Sequence, residues 1–205
     1  MLNFIAEMQE QFILFISGGG SNARQIISYF KDNERVKVVG VLSSKANLAM
    51  EAFCATQQLP FYDLSNKDFS AYLKICHELN ANWVILAGFL KKIPVEFISA
   101  YPNRIINIHP SLLPKFPGLN THKRAIDSME KYHGASVHFV TEKLDGGPII
   151  SQEIVKIAPE ETEISLAKKV LLKEHTLYPK VIHWYTQGRL KLIDKSTLEL
   201  DGEII

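Results

Sequence analysis

Read for its alternation of apolar and polar positions, the chain opens with an unbroken apolar run, Phe12-Ile13-Leu14-Phe15-Ile16. It breaks at once into Ser17-Gly18-Gly19-Gly20-Ser21-Asn22. An apolar run of this length, closed by turn residues, is the pattern of a strand buried on both faces, as in a parallel sheet. A helix is expected next, with Asn22 as its cap and Ile26, Ile27 and Phe30 as its apolar stripe, ending at Lys31-Asp32-Asn33-Glu34. The same order then repeats: a strand from Val36 to Leu42, a helix over Leu48 to Gln57, and a short strand near Phe61-Tyr62 entered through Pro60. Phe69, Tyr72, Leu73, Cys76 and Leu79 recur at helical spacing, and Trp83-Val84-Ile85-Leu86 reads as another buried strand closed by Ala87-Gly88.

After a helix expected near Pro94 to Tyr101, the strand Arg104 to His109 turns polar toward its C-terminal end. The later pattern differs: a strand over Ser136 to Val140, a turn at Asp145-Gly146-Gly147-Pro148, and an alternating strand from Ile149 to Ile157 suit antiparallel pairing. A long amphipathic helix from about Ile164 places Ala167, Val170, Leu171, Tyr178, Val181, Ile182 and Tyr185 on one face, with Pro179 as a point where it could kink. The pattern predicts an α/β fold, a Rossmann-like three-layer sandwich whose central sheet is mostly parallel and becomes antiparallel toward the C-terminal half. In such sheets ligands bind beyond the carboxyl ends of the parallel strands. Gly18 to Asn22, Gly88 to Lys92 and Asn107 to Pro110 would all lie there.

At 205 residues the chain fits a single domain. Residues 1–10 read as a loose extension, 11–103 as a half that binds a phosphate, and 104–205 as the half that carries the chemistry. Basic and acidic residues nearly cancel, 23 against 22, so no global field draws the protein to nucleic acid or an acidic membrane. No run reaches membrane-spanning length and the start lacks a secretory pattern, which predicts a cytoplasmic protein. Cys54 and Cys76 form no Cys-x-x-Cys pair and read as buried thiols.

Three segments could carry chemistry. Glycines between a strand and a helix let backbone N–H groups approach a phosphate at the positive end of the helix, although the same sequence also makes a plain tight turn. A side chain at Gly20 would be expected to bar that approach. In Asn107-Ile108-His109-Pro110, the period of a strand puts Asn107 and His109 on one face. An amide and an imidazole there can stabilise an oxyanion and handle a proton; taken alone, they can equally be a turn cap and a satisfied core histidine. The loop Thr141 to Pro148 could aim Asp145 inward or leave it solvated. The other histidines, His77, His122, His133, His138, His175 and His183, lack metal-ligand spacing, so no catalytic metal is expected.

Taken in order, Ser17-Gly18-Gly19-Gly20-Ser21-Asn22, Ala87-Gly88-Phe89, Asn107-Ile108-His109-Pro110-Ser111-Leu112-Leu113-Pro114 and Leu144-Asp145-Gly146-Gly147-Pro148 closely resemble the phosphoribosylglycinamide formyltransferase family. The resemblance runs from Gln11 to about Leu192. It implies the formyltransferase fold and the transfer of a formyl group from 10-formyltetrahydrofolate, as co-substrate, to the amine of glycinamide ribonucleotide in purine biosynthesis. It further implies Asn107, His109 and Asp145 as the catalytic trio. Gly20, Ser21 and Asn22 would meet the ribonucleotide phosphate, and Glu174 the glycinamide part. Leu90, Lys91, Lys92, Ile93 and Asn107 would lie against the folate, with Lys67 near its glutamate tail. Lys67 and Lys91 stand where many members carry Arg, which removes a planar, bidentate fork.

In the implied reaction Asn107 and protonated His109 meet charge on the formyl oxygen, and Asp145, expected beside His109, helps it hold its proton. No metal, nucleic acid or membrane takes part, and the protein would act as a monomer or homodimer. Two other readings remain: a formyltetrahydrofolate hydrolase-like enzyme, whose expected extra domain this length leaves no room for, and a noncatalytic mononucleotide-binding module.

Overall fold

The computed structural model describes residues 9–194 and 197–205. Strand and helix alternate as the hydrophobic pattern requires: β1 (Glu10–Ile16), α1 (Ser21–Phe30), β2 (Val36–Ser43), α2 (Leu48–Thr56), β3 (Phe61–Asp63), α3 (Phe69–Glu78), β4 (Trp83–Leu86), α4 (Val95–Ala100) and β5 (Ile105–His109). There follow α5 (Thr121–Asp127), β6 (Tyr132–Phe139), β7 (Ile149–Lys156) and α6 (Glu163–Thr186). Three short strands, β8 (Leu190–Leu192), β9 (Leu198–Leu200) and β10 (Glu203–Ile204), form a separate antiparallel sheet.

The main sheet has seven strands in the order β3-β2-β1-β4-β5-β6-β7. β1 to β5 pair in parallel, whereas β5–β6 and β6–β7 are antiparallel, as the change of pattern after residue 130 predicts. The central strands are buried on both faces, which is why Phe12 to Ile16 and Trp83 to Leu86 are continuously apolar. On one face Ala23, Ile26, Phe30, Met50 and Cys54 of α1 and α2 join Val170, Tyr178, Val181 and Ile182 of α6. On the other, Tyr72, Cys76 and Phe97 of α3 and α4 pack on Phe15 and Leu86. Each fully buried side chain of this size contributes about 1.5–3 kcal/mol relative to exposure, enough for the two cores to hold all three layers.

The chain winds outward from β1 in one direction to β3 and in the other to β7, so the order reverses between β1 and β4. At such a switch point the connecting loops part and leave a crevice at the carboxyl ends. The loops after β1, β4 and β5 all open there, where the sequence places them.

Several expectations need correction. Glu10 belongs to β1 rather than to a loose extension: it pairs with Val36, and its carboxylate accepts a hydrogen bond from the Trp83 indole at 3.0 Å. Residues 1–8 of that extension lie outside the described residues. Asn22 does not cap α1. Gly20, in the left-handed conformation at φ 74°, takes the cap position, and Asn22 sits buried in the first turn. Pro179, the expected kink point, lies buried within α6, which continues on both sides of it. No helix among the described residues is long and apolar enough to cross a membrane.

Candidate active site

β5 carries the polar groups because its two faces meet different surroundings. Ile106 and Ile108 point into the core beneath α6, paired with Phe139 and Val137 of β6. Asn107 and His109 take the other face, opposite His138 and Ser136, where the 110–120 and 141–148 loops cover the sheet end instead of a helix. His109 is buried, and its Nε2 donates to the Phe116 carbonyl at 2.9 Å. Its Nδ1 faces Asp145 Oδ2 at 3.5 Å, with both side chains less than a tenth exposed. Both ring nitrogens therefore face oxygens.

The loop after β6 turns Asp145 inward. Gly147 passes so close to the Phe139 carbonyl that a Cβ there would lie 1.9 Å from its oxygen, and the Phe139 N–H donates to the Pro148 carbonyl at 3.0 Å. No other residue permits that approach. Asp145 itself has φ 47°, in the left-handed region that a short polar side chain tolerates. Its Oδ2 accepts from the Gly118 N–H at 2.8 Å, tying the two covering loops together, and its Oδ1 lies 3.7 Å from His138 Nε2.

His138 is a member of this site that sequence reasoning set aside among histidines without metal spacing. Its Nδ1 donates to the Phe139 carbonyl at 2.8 Å, which leaves Nε2 as the acceptor for Asn107 Nδ2 at 3.1 Å. Burial pushes the His138 pKa down; the Phe139 carbonyl and Asp145 act the other way, and His109 adds to the depression. Neutral His138 thus fixes which end of the Asn107 amide is NH₂, and one N–H remains for a ligand. The signal was available in the polar alternation of Ser136 and His138 between apolar neighbours, but its use required the β5–β6 register. Beyond His109, buried His133 pairs with the partly exposed His122 at 3.2 Å; burial, with His122 and His109 adding to it, lowers the His133 pKa to about 4.

The glycine loop builds a different kind of site. No side chain caps the first turn of α1 and no acidic residue stands in it, so its amide N–H groups and the positive end of the helix face the crevice. A Cβ at Gly18 or Gly19 would meet nothing within 4 Å, whereas one at Gly20 would lie 2.9 Å from Met50 Sδ, on a backbone that disfavours side chains. A side chain at Gly20 would thus disturb the protein's own packing and backbone as well as any ligand approach. Asn22 Nδ2 donates to Glu174 Oε2 at 2.6 Å, joining two predicted ribonucleotide residues that lie far apart in sequence. Burial raises the Glu174 pKa, partly offset by that hydrogen bond.

Beside Asn107 lies a cavity of about 70 Å³ lined by Phe89, Lys91, Lys92, Ile93, His138 and Asp145. Lys91, Lys92, Ile93 and Asn107 of the predicted folate set are thereby brought together with Asp145. Leu90 is largely exposed and contributes no lining; its N–H donates to Ser17 Oγ at 2.8 Å. Lys67 does not line the cavity, but Lys91 Nζ donates to its backbone carbonyl at 3.4 Å. A larger groove of about 630 Å³ lies at the opposite end of the sheet, near Asn33, Val36 and Leu59, remote from every predicted site residue.

Comparison with known proteins gives the family. Residues 10–182 match the family described as formyl transferase. The chain is 40% identical over 201 residues to phosphoribosylglycinamide formyltransferase of Escherichia coli, covering 93% of each, and 35% identical to that of Haemophilus influenzae, covering 96% of each. Among solved structures, the phosphoribosylglycinamide formyltransferase of Coxiella burnetii superposes with a TM-score of 0.88 at 35% identity, covering 96% of both chains. With the fold, the order of its motifs and this similarity in agreement, the chain belongs to the phosphoribosylglycinamide formyltransferase family.

Proposed function

We propose that the protein transfers the formyl group of 10-formyltetrahydrofolate to the amine of glycinamide ribonucleotide, giving formylglycinamide ribonucleotide and tetrahydrofolate. The observation that carries this reading is the convergence of His109, Asp145 and Asn107 at the carboxyl end of the sheet, with Lys92 and Ile93 lining the same cavity as Asn107 and Asp145. The ribonucleotide phosphate sits on the amides of Gly20, Ser21 and Asn22. Glu174, held by Asn22, faces the glycinamide. The folate lies along Leu90 to Ile93 and Asn107, its glutamate tail toward Lys67 and Lys91.

The amine attacks the formyl carbon, and the carbonyl electrons move onto oxygen. The remaining N–H of Asn107 and the imidazolium of His109 stabilise that charge, and the Asp145 carboxylate balances the ring. His109 Nε2 is held by the Phe116 carbonyl, so a substrate oxygen reaches this donor only by displacing it. The tetrahedral adduct collapses as the carbon–nitrogen bond to the folate breaks, and the proton lost by the attacking amine passes through water to the departing folate nitrogen. The enzyme forms no covalent bond.

The test is release of deformylated folate, followed by absorbance with and without glycinamide ribonucleotide. Turnover only with the amine is expected. Turnover with water alone would mark a hydrolase, and binding without turnover a nucleotide-binding module.

A further inference from the structure

The first residue after β1, Ser17, is buried, with 4% of its surface exposed, at the point where β1 and β4 part. Up to there the backbone alone joins the two strands: Ala87 N–H donates to the Phe15 carbonyl at 2.8 Å, and Ser17 N–H to the Gly88 carbonyl at 3.0 Å. One step further the strands have diverged, and the Leu90 N–H donates to Ser17 Oγ at 2.8 Å. The side-chain oxygen continues the ladder where backbone no longer reaches. The hydroxyl is fixed by Ser44 Oγ at 2.6 Å, and Ser44 N–H in turn donates to the Ile16 carbonyl at 2.9 Å. Ser17 thus grips residues 88 and 90 on either side of Phe89, whose ring packs on Phe15 with centroids 5.3 Å apart. The next residue toward the C-terminus, Gly18, begins the glycine loop.

We infer that the Ser17 hydroxyl is a positioning group for the folate segment, holding Leu90 to Ile93 in register with the phosphate loop so that the two substrates meet. It touches neither substrate, and the inference rests on the reading that this segment carries the folate. An N–H left without an acceptor loosens its segment, and loss of one neutral hydrogen bond corresponds to about a 3- to 10-fold change in an equilibrium. Ser17→Ala should therefore raise the KM for formyl folate by about 3- to 10-fold while leaving the KM for glycinamide ribonucleotide within about twofold. Ser44→Ala keeps the acceptor for Leu90 and should have the smaller effect.

The experiment combines these KM values with amide hydrogen exchange of Phe89 to Ile93 in both variants and in the wild type. Faster exchange at Leu90 in Ser17→Ala, a selective rise in folate KM and a smaller response in Ser44→Ala support the assignment. Unchanged exchange, equal shifts for both substrates, an equal response from the two variants, or faster exchange with unaltered folate KM would overturn it. A wild type in which formyl folate binds but leaves Leu90 to Ile93 unprotected would instead defeat the location of the folate site, which keeps the two failures apart.

Discussion

The two ends of the crevice are built by opposite means. At the β1–α1 junction the site is made of backbone: a left-handed Gly20, an uncapped helix and glycines whose Cβ positions meet open space. At the end of β5 it is made of side chains from three places, Asn107 and His109 on one strand, His138 on its antiparallel partner and Asp145 from the loop beyond. A backbone site binds an anion of fixed charge and needs only a local sequence. A side-chain site can place a proton donor and its counter-charge against a group whose charge changes during reaction, but only tertiary register assembles it. The comparison predicts that damage at the first end falls on ribonucleotide affinity, and damage at the second on the chemical step.

The largest effect is expected at β5. His109→Ala removes an acid and oxyanion partner and should lower kcat by about 100- to 1000-fold, as for the loss of comparable groups. The KM for ribonucleotide should stay within about threefold, well below the cost of one charge-assisted hydrogen bond. Steady-state kinetics in both substrates checks this; a drop in affinity alone would erase the division between the two ends.

A smaller change is expected at the glycine loop. Gly19→Ala is the suitable probe, because its methyl group meets no protein atom within 4 Å, whereas a side chain at Gly20 strains the backbone before any ligand is met. Weakening one hydrogen bond to a charged phosphate costs about 1.5–3 kcal/mol, so ribonucleotide KM should rise by about 10-fold or more with kcat nearly unchanged. Calorimetric titration with the ribonucleotide gives the same comparison without turnover, and an unaltered affinity would detach the loop from the phosphate.

The smallest effect is on stability. Burial raises the Glu174 pKa above its unfolded value, so its contribution to stability is most favourable when protonated, below the unfolded pKa, and declines as pH rises through the folded one. Glu174→Gln removes the buried charge and should raise Tm at pH 7, by about 2–4 °C per kcal/mol relieved in a chain of this size. The gain should shrink under acid conditions, and ribonucleotide affinity should fall. Melting curves at pH 4 and pH 7 decide it; a variant less stable than wild type at pH 7 would mean that the Asn22 contact outweighs the burial cost.

The contrast also separates what could be read in the sequence from what could not. Strands β1 and β4, the helices flanking them and the Asn107/His109 face are local periodicities, and they stand where the pattern puts them. α5 escaped because only Thr121 and Ala125 of its seven residues are buried, too few for an apolar stripe. β8, β9 and β10 have only two or three residues each, below the length at which alternation is visible. A polar residue at a helix start is more often a cap, whereas Asn22 reaches across to Glu174 in α6. His138 was missed for the same reason: its partner is set by pairing across strands, which no short window contains.

The most direct measurement of the division of labour is a single-turnover experiment on Asp145→Asn with both substrates saturating, accompanied by a ribonucleotide titration. The substitution keeps the shape of the side chain while removing the charge that lies 3.5 Å from the His109 ring. The expected result is formyl transfer slowed by about 100-fold or more, with ribonucleotide affinity unchanged. Near-normal transfer, or slowed transfer explained wholly by lost ribonucleotide binding, would contradict it.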